Sequence, residues 1–531
     1  MKAGKLLWAI VAFGALSAVL YSSLMPLWEG FDEPFHYGYV QRLSWGSGMP
    51  VLGRTPLSAE VWESLKLAPA SHVVRQNLPF VMTFAEYFAL RPEERAARRA
   101  ALESLAPALR QVEASGTSNY EAQHAPLAYL LLVLPNVVWG DLPLPARVLR
   151  LRLVCALAAC LLQAAFSLAL ARRLKLPEPA QYTALWLVLC GQMFYASVAR
   201  VSNDWLAIPL ATALLVCLLR FHAEPRLGNA LWLGGVVAAG LLTKAYFLSW
   251  GLFALAAAVW VTWRRKTSVR PALAALAIIL VAAGPWYARN LLLYGSLGGT
   301  LQGAAGVGLK ETVQAALVLP WAKALLSSAR GALWTGNNSF TSFSAATLNL
   351  ILVLLLVAVL LWLRSAWKRP GSAPEWIVAA GCLCCVATLL YACALFFAYS
   401  KDPDVTTGPW HVQAIAAPTA CLLSLGLSRS GAVGRWLGVA LVALFSYVLA
   451  ATYLVKLIPL YAGYPGGKMP LGRLLDWYLH GTPDLAATAL GPPALIWCVT
   501  AAVVVVAATV ATVLCRRVWN RHWCPPERKP D

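Results

Sequence analysis

Charge is what this sequence has least of. Only 12% of its 531 residues are Asp, Glu, Lys or Arg, well short of the roughly one quarter usual in a soluble globular domain. Acids are the scarcer sign, 23 against 43 Lys and Arg, for a net charge of +20. There is no nucleotide-binding motif, no internal repeat, no low-complexity linker and no appended soluble domain. Without a soluble basic domain, the positive charge does not point to nucleic acid. The lack of repeats and interrupted helices argues against a transporter. Cysteine is absent from every loop expected on the outer side, although the chain has 12. That excludes a structural disulfide framework. Most of the cysteines lie inside apolar runs, where a free thiol behaves as a small hydrophobe. Cys382 and Cys385 have CxxC spacing but sit in the apolar run AAGCLCCVATLL.

What the chain has instead is apolar sequence, 60% of the total, in runs close to the roughly 20 residues that cross a bilayer. Spans are expected near residues 6–27, 124–139, 148–170, 180–199, 201–220, 228–243, 245–263, 271–287, 344–363, 375–398, 409–427, 435–454 and 493–514. The fold class is therefore an all-α polytopic membrane protein with about 13 transmembrane helices. Its first extracytoplasmic loop is long, 28–123, and carries amphipathic helices. Lys2 and Lys5 precede the first run, which reads as a retained span with its N-terminus in the cytoplasm. Basic clusters such as Arg172–Arg173–Lys175, Arg264–Arg265–Lys266, Arg364–Lys368–Arg369 and Arg516–Arg517–Arg521 follow the positive-inside pattern. From Arg172 onward they place 288–343, 399–408 and 455–492 outside and the basic tail inside. One inconsistency remains. Residue 33 outside and Arg172 inside need an odd number of crossings, yet two runs lie between them: either 124–139, short for a full span, is re-entrant or tilted, or a further crossing lies in that stretch.

The polar residues concentrate at outer span ends. GFDEPFHYGY, residues 30–39, sets Asp32, Glu33 and His36 just past the first span. A helix start explains part of it: Pro34 suits the first turn, and Glu33, biased away from helical geometry by the proline after it, suits the N-cap. Two adjacent carboxylates and a histidine exceed that need. NYEAQHAPLAYLLL, residues 119–132, adds Glu121, Gln123 and His124 before another apolar run. If the two clusters face one cavity, their carboxylates could serve as a general base, or Asp32, Glu33 and His36 could hold a divalent cation. Within the first loop, Pro92 to Glu113 has the periodicity of a surface helix with arginines on its wet face.

These motifs, followed by VARVSNDWLAIPLA around Asp204, LLTKAYF around Lys244 and PWYARN with Arg289 and Asn290, resemble in order and spacing the GT-C superfamily. The match is nearest to a group of bacterial membrane proteins with a DEPxH-type first-loop motif. Members of the superfamily are polytopic glycosyltransferases that use polyprenyl-phosphate-linked sugars. The resemblance covers most of residues 1–430, implying a transmembrane catalytic module there and C-terminal helices, an outer loop and a basic cytoplasmic tail in 431–531. It implies Asp32 as the catalytic base, with Glu33 tuning it, and inversion at the anomeric carbon. His36, Gln123, His124, Asp204, Lys244, Arg289, Asn290 and His411 are the expected substrate and phosphate contacts. The implied partners are a polyprenyl-phosphate-linked sugar, a glycan or lipid acceptor and membrane lipids. The implied location is a bacterial-type inner membrane with the site on the extracytoplasmic face. One motif departs from the family: Pro409 and Trp410 stand where a Gly-Arg-Tyr pattern has Arg and Tyr, which removes a bidentate phosphate donor. A non-catalytic scaffold or a lipid-linked-glycan transporter is the alternative.

Overall fold

The computed structural model describes residues 3–367, 369, 373–402, 408, 410–464 and 470–520. Lys368, Pro409 and the tail from Arg521, with Cys524, lie outside the described residues. Each of the 13 apolar runs folds as helix, because a backbone in lipid must satisfy its own polar groups within the segment. Among the described residues ten helices are long and apolar enough to cross a membrane, from the 18 residues of Phe247–Arg264 to the 31 of Gly431–Tyr461. The chain is a multi-pass integral membrane protein. The expected run at 180–199 is broken into Glu178–Leu189 and Gln192–Val198, and Leu227–Leu241 is short, at 15 residues.

The two ends of the bundle differ in kind. One collects arginines: Arg517 pairs with Glu178 at 2.9 Å, Arg429 with Glu375 at 2.8 Å, and Arg265 donates to the Ala223 carbonyl. At the other end the three long connections meet. Arg289 donates to the Pro50 carbonyl at 2.8 Å, the Leu52 N–H to the Tyr294 hydroxyl at 3.0 Å, and Arg95 pairs with Asp484 at 3.0 Å.

Leu127–Val138 does not cross between these ends, which corrects the span expected at 124–139. Its 12 residues extend only about 18 Å, and it lies beside Glu33–Ser44 in the same direction. Tyr129 meets His36 near one end, and Asn136 donates to Ser44 at 2.9 Å near the other. Leu130, Leu131, Leu134 and Val138 are exposed along it, a face suited to the bilayer surface. Leu144–Arg173 alone then carries the chain from the loop end to the arginine end, so the odd crossing count is met.

The first loop is built of short helices and a two-stranded antiparallel sheet, Pro56–Ser58 with Glu113–Ser118. The helix expected from Pro92 begins there but stops at Glu103. Pro107 opens a separate 3-10 turn, and the residue before a proline is biased out of helical geometry. The arginines of that helix are partly spent inside the loop end: Arg98 donates to the Leu67 carbonyl and Arg99 to that of Ala486.

Close helix crossings depend on glycine. A Cβ at Gly426 would lie 2.5 Å from the Trp362 Cα, so helices Ala416–Ser428 and Ala345–Trp367 can pack this tightly only without it. Gly426→Ala is expected to destabilise the protein by about 2 kcal/mol through overpacking. A lowered thermal midpoint in detergent, with Gly228→Ala as an uncrowded control, is the check.

Candidate functional site

Asp32 occupies the N-cap of Glu33–Ser44, with Pro34 in the first turn, but its side chain makes no capping bond. The cap therefore falls one residue earlier than Glu33. Its φ is +57°, in the left-handed region that Asp tolerates better than most residues. The carboxylate accepts a hydrogen bond from the Tyr120 hydroxyl instead, at 2.5 Å, and the residue stays half-buried. Burial first, then the negative charge of Glu121, push the Asp32 carboxyl above its ordinary range. The Tyr120 hydrogen bond and the Arg200 guanidinium oppose that shift.

Glu33 is placed quite differently. It is fully buried and doubly bonded to Arg152, from Nε to Oε1 at 2.7 Å and from Nη2 to Oε2. The Val201 N–H donates to Oε1 at 3.0 Å. Its oxygens are thus committed to a planar bidentate pair of the kind arginine favours.

The two polar clusters do come together. His36 Nδ1 lies 2.8 Å from the Tyr129 hydroxyl and 3.5 Å from Glu121 Oε2, and His124 Nε2 lies 2.8 Å from the same oxygen. Burial pushes the His36 imidazole down to about 3, against the pull of the Glu121 charge. Burial disfavours the charged form of Glu121, but His36, His124 and Lys244 outweigh it and hold the carboxyl at about 2. Among the described residues no group of three or more His, Cys, Asp or Glu side chains is arranged to hold a metal. Asp32, Glu33 and His36 do not converge on one point, because each turns to a different partner.

Asp204, at the start of Asp204–Ala223, binds two cations. Arg200 Nη2 lies 2.9 Å from Oδ2, and Lys244 Nζ bonds to Oδ1. All three residues are buried, where unpaired charge is costly, and the triad carries one net positive charge. Arg200 also donates to the Phe31 carbonyl and lies 5.3 Å over the Phe31 ring, joining the triad to the Asp32 turn. The other side of the triad closes through aromatic rings. Lys244 Nζ sits 5.8 Å over Tyr246, and Tyr246 lies 6.2 Å from His411. Trp410 donates to His411 Nε2 at 3.0 Å and packs on Phe31 at 4.7 Å. Trp410, at the position where the family pattern has Tyr, thus lays an indole against the loop of Asp32.

Three of the expected contacts lie elsewhere. Gln123 accepts the Leu301 N–H at 3.0 Å, Arg289 stacks on Trp286 at 4.9 Å, and Asn290 donates to the Leu297 carbonyl at 3.2 Å. Gln123, together with the Arg289 bond to Pro50, ties the 288–343 connection to the first loop. Sequence reasoning passed over Tyr120 and Arg200. Arg200 stood in the quoted VARVSND, where a basic residue at an outer span end runs against the positive-inside bias and could have marked it.

A further acid, Glu29, is fully buried beside this site, and its Oε1 accepts from Ser339 and from Tyr461, the latter at 3.2 Å. Burial raises its carboxyl to about 7, against the pull of those hydrogen bonds. A carboxyl raised on folding contributes stability that is complete below its unfolded value near 4.5 and lost as pH rises through about 7. Thermal midpoints are expected to fall between those pH values in the wild type, and Glu29→Gln should flatten that part of the profile.

No family model and no curated protein matches the sequence. Among solved structures the chain is similar to ArnT from Cupriavidus metallidurans bound to undecaprenyl phosphate, at 13% identity and a TM-score of 0.49, covering 98% of this chain and 78% of that one. It is also similar to the arabinosyltransferase EmbB from Mycobacterium smegmatis, at 14% identity and a TM-score of 0.37, covering 75% and 36%.

Proposed function

We propose that the chain is a membrane glycosyltransferase of the GT-C kind. It would move a sugar from a polyprenyl-phosphate donor to a glycan or lipid acceptor on the extracytoplasmic face of a bacterial-type inner membrane, with inversion. The observation that carries the reading is Asp32: a half-buried carboxylate, raised above its ordinary range, on a left-handed turn where the spans meet the loop end. A base must reach the acceptor hydroxyl and have a basicity matched to its task, and both needs suit Asp32. In this scheme Asp32 takes the hydroxyl proton as the acceptor oxygen attacks the anomeric carbon. The bond to the lipid phosphate breaks on the opposite face, and the phosphate departs with the bonding electrons.

Asp204, Arg200 and Lys244 support the other half of the reaction. Two buried cations sharing one carboxylate leave a positive field for an incoming phosphate. His36, Glu121 and His124 form the polar wall beside the base, and His411 lines the triad through Tyr246. Glu33 we assign to holding the Asp32 turn rather than to proton transfer, since both its oxygens are engaged. The donor-binding task that an arginine would have at position 409 falls in this reading to Arg200 and Lys244.

The test is a profile of glycolipids and surface glycans in cells carrying wild-type, deleted and Asp32→Asn forms at matched abundance. Loss of one sugar with accumulation of its polyprenyl-phosphate donor, in both deletion and Asp32→Asn, is the expected result. The packing of Trp410 against Phe31 favours a scaffold as the second reading. That reading would gain if deletion changed the envelope while Asp32→Asn did not.

A further inference from the structure

The turn that carries Asp32 is held through its carbonyl groups. Between Met25 and Glu33 the chain contains two non-glycine residues in the left-handed region, Trp28 at φ +63° and Asp32 at +57°. Such conformations cost about 1–3 kcal/mol each and persist where surrounding structure over-determines them. Here successive carbonyls are captured from outside the turn. Arg152 donates to the Met25 and Pro26 carbonyls at 2.8 and 2.9 Å, and Arg200 donates to that of Phe31.

The three carbonyls at 28, 29 and 30 all bond to a single residue some 300 positions away. Asn338 Nδ2 donates to the Trp28 carbonyl at 3.3 Å and to the Gly30 carbonyl at 3.1 Å. Its backbone N–H donates to the Glu29 carbonyl at 3.2 Å. Asn338 belongs to a second strained turn, with φ of +78° at Gly336, +54° at Asn337 and +47° at Phe340. A positive φ at a bulky residue such as Phe340 is a genuine outlier. This turn is anchored by Tyr21, which donates to Asn337 Oδ1 at 2.8 Å, by Ser339 on Glu29, and by Phe340 against the Phe31 ring at 5.6 Å.

We infer that Asn338 is a positioning residue for Asp32: by clasping the carbonyls of residues 28–30 it fixes the left-handed turn that aims the Asp32 carboxylate. The inference rests on the reading of Asp32 as the base. Three acceptors in a row need donors and no competing charge: the neutral side-chain amide supplies them to residues 28 and 30, and the Asn338 backbone N–H to residue 29. Arginines hold the outer carbonyls, and the amide holds the inner ones.

The test compares wild type, Asn338→Ala and Ser344→Ala in detergent or nanodiscs, each first shown to be monodisperse. Amide hydrogen exchange of the peptide covering residues 28–35 should speed up about tenfold in Asn338→Ala, the change expected when roughly 1.4 kcal/mol of hydrogen bonding to the turn is lost. Ser344→Ala, whose hydroxyl bonds Thr347 and not the clasp, should not change it. In the transfer assay, with rates taken per folded molecule, Asn338→Ala should lower kcat with KM for the lipid donor unchanged; general destabilisation would lower only the amount of folded enzyme and leave both values as in the wild type.

If Asn338→Ala does not fold, Asn338→Asp keeps the shape, removes the side-chain donors and should loosen the same peptide. Unchanged exchange in the folded variant overturns the clasp. Faster exchange with unchanged kcat overturns the positioning role. A wild type with no transfer activity would sink the glycosyltransferase reading instead, while the exchange rates still report on the clasp.

Discussion

Asp32→Asn is expected to lower kcat for sugar transfer by at least about 100-fold, the lower bound for removing a positioned general base, with little change in thermal midpoint. The amide keeps the size and can still meet the Tyr120 hydroxyl, so the turn need not reorganise. Only the proton acceptor is lost. The pH dependence gives a sharper test, because the neighbours of Asp32 push in opposite directions. A base works deprotonated, so the rate falls as pH drops through its pKa. Burial and Glu121 raise that value, and the acidic limb should therefore lie above the range of an ordinary aspartate.

Glu121→Gln removes a negative charge that disfavours ionisation of Asp32 and should move the limb to lower pH. Tyr120→Phe removes a donor that favours the carboxylate and should move it to higher pH. Opposite displacements in the two variants, read from kcat/KM between pH 4 and 8 (an interval set around the reference carboxylate range of about 4), would tie the limb to Asp32. Displacements in the same direction would assign the limb to another group.

The sequence carried the spans because a bilayer leaves the chain few choices: an apolar run of sufficient length must be helical. It also carried the polar clusters, since groups such as Asp32 and His124 at span ends stand out against an apolar background. Pairings across the fold were less legible. Glu33 meets Arg152 over 119 positions, and nothing local in DEPFH or in VLRLRL names the other partner. Asn338 was invisible for the same reason, since its bonds go to main-chain carbonyls, which every residue has. Leu127–Val138 was legible only in part, as a run short for a full span. Its apolar character was plain, but whether 12 apolar residues lie on a membrane or form part of a crossing depends on what meets each end. The pair of Asp204 and Lys244 was within reach because a buried lysine in an apolar stretch demands an acid.

Breaking the Glu33–Arg152 pair is expected to have the largest effect on stability. Both side chains are buried, and removing one partner leaves an uncompensated charge at a cost of about 3–5 kcal/mol. Arg152→Met should cost the most, because it also strips the Met25 and Pro26 carbonyls of donors. Glu33→Leu leaves Arg152 charged but still bonded to those two carbonyls. In the double variant the charges vanish together, so its thermal midpoint in detergent should fall by less than the sum of the single losses. The shortfall measures the coupling. The loss in the double variant should not disappear entirely, since the orphaned carbonyls remain. Glu33→Gln then separates architecture from chemistry. It keeps one acceptor for Arg152 and should lower the midpoint while transfer per folded molecule stays close to wild type. A variant with an unchanged midpoint and lost transfer would instead place Glu33 in the reaction, beside Asp32.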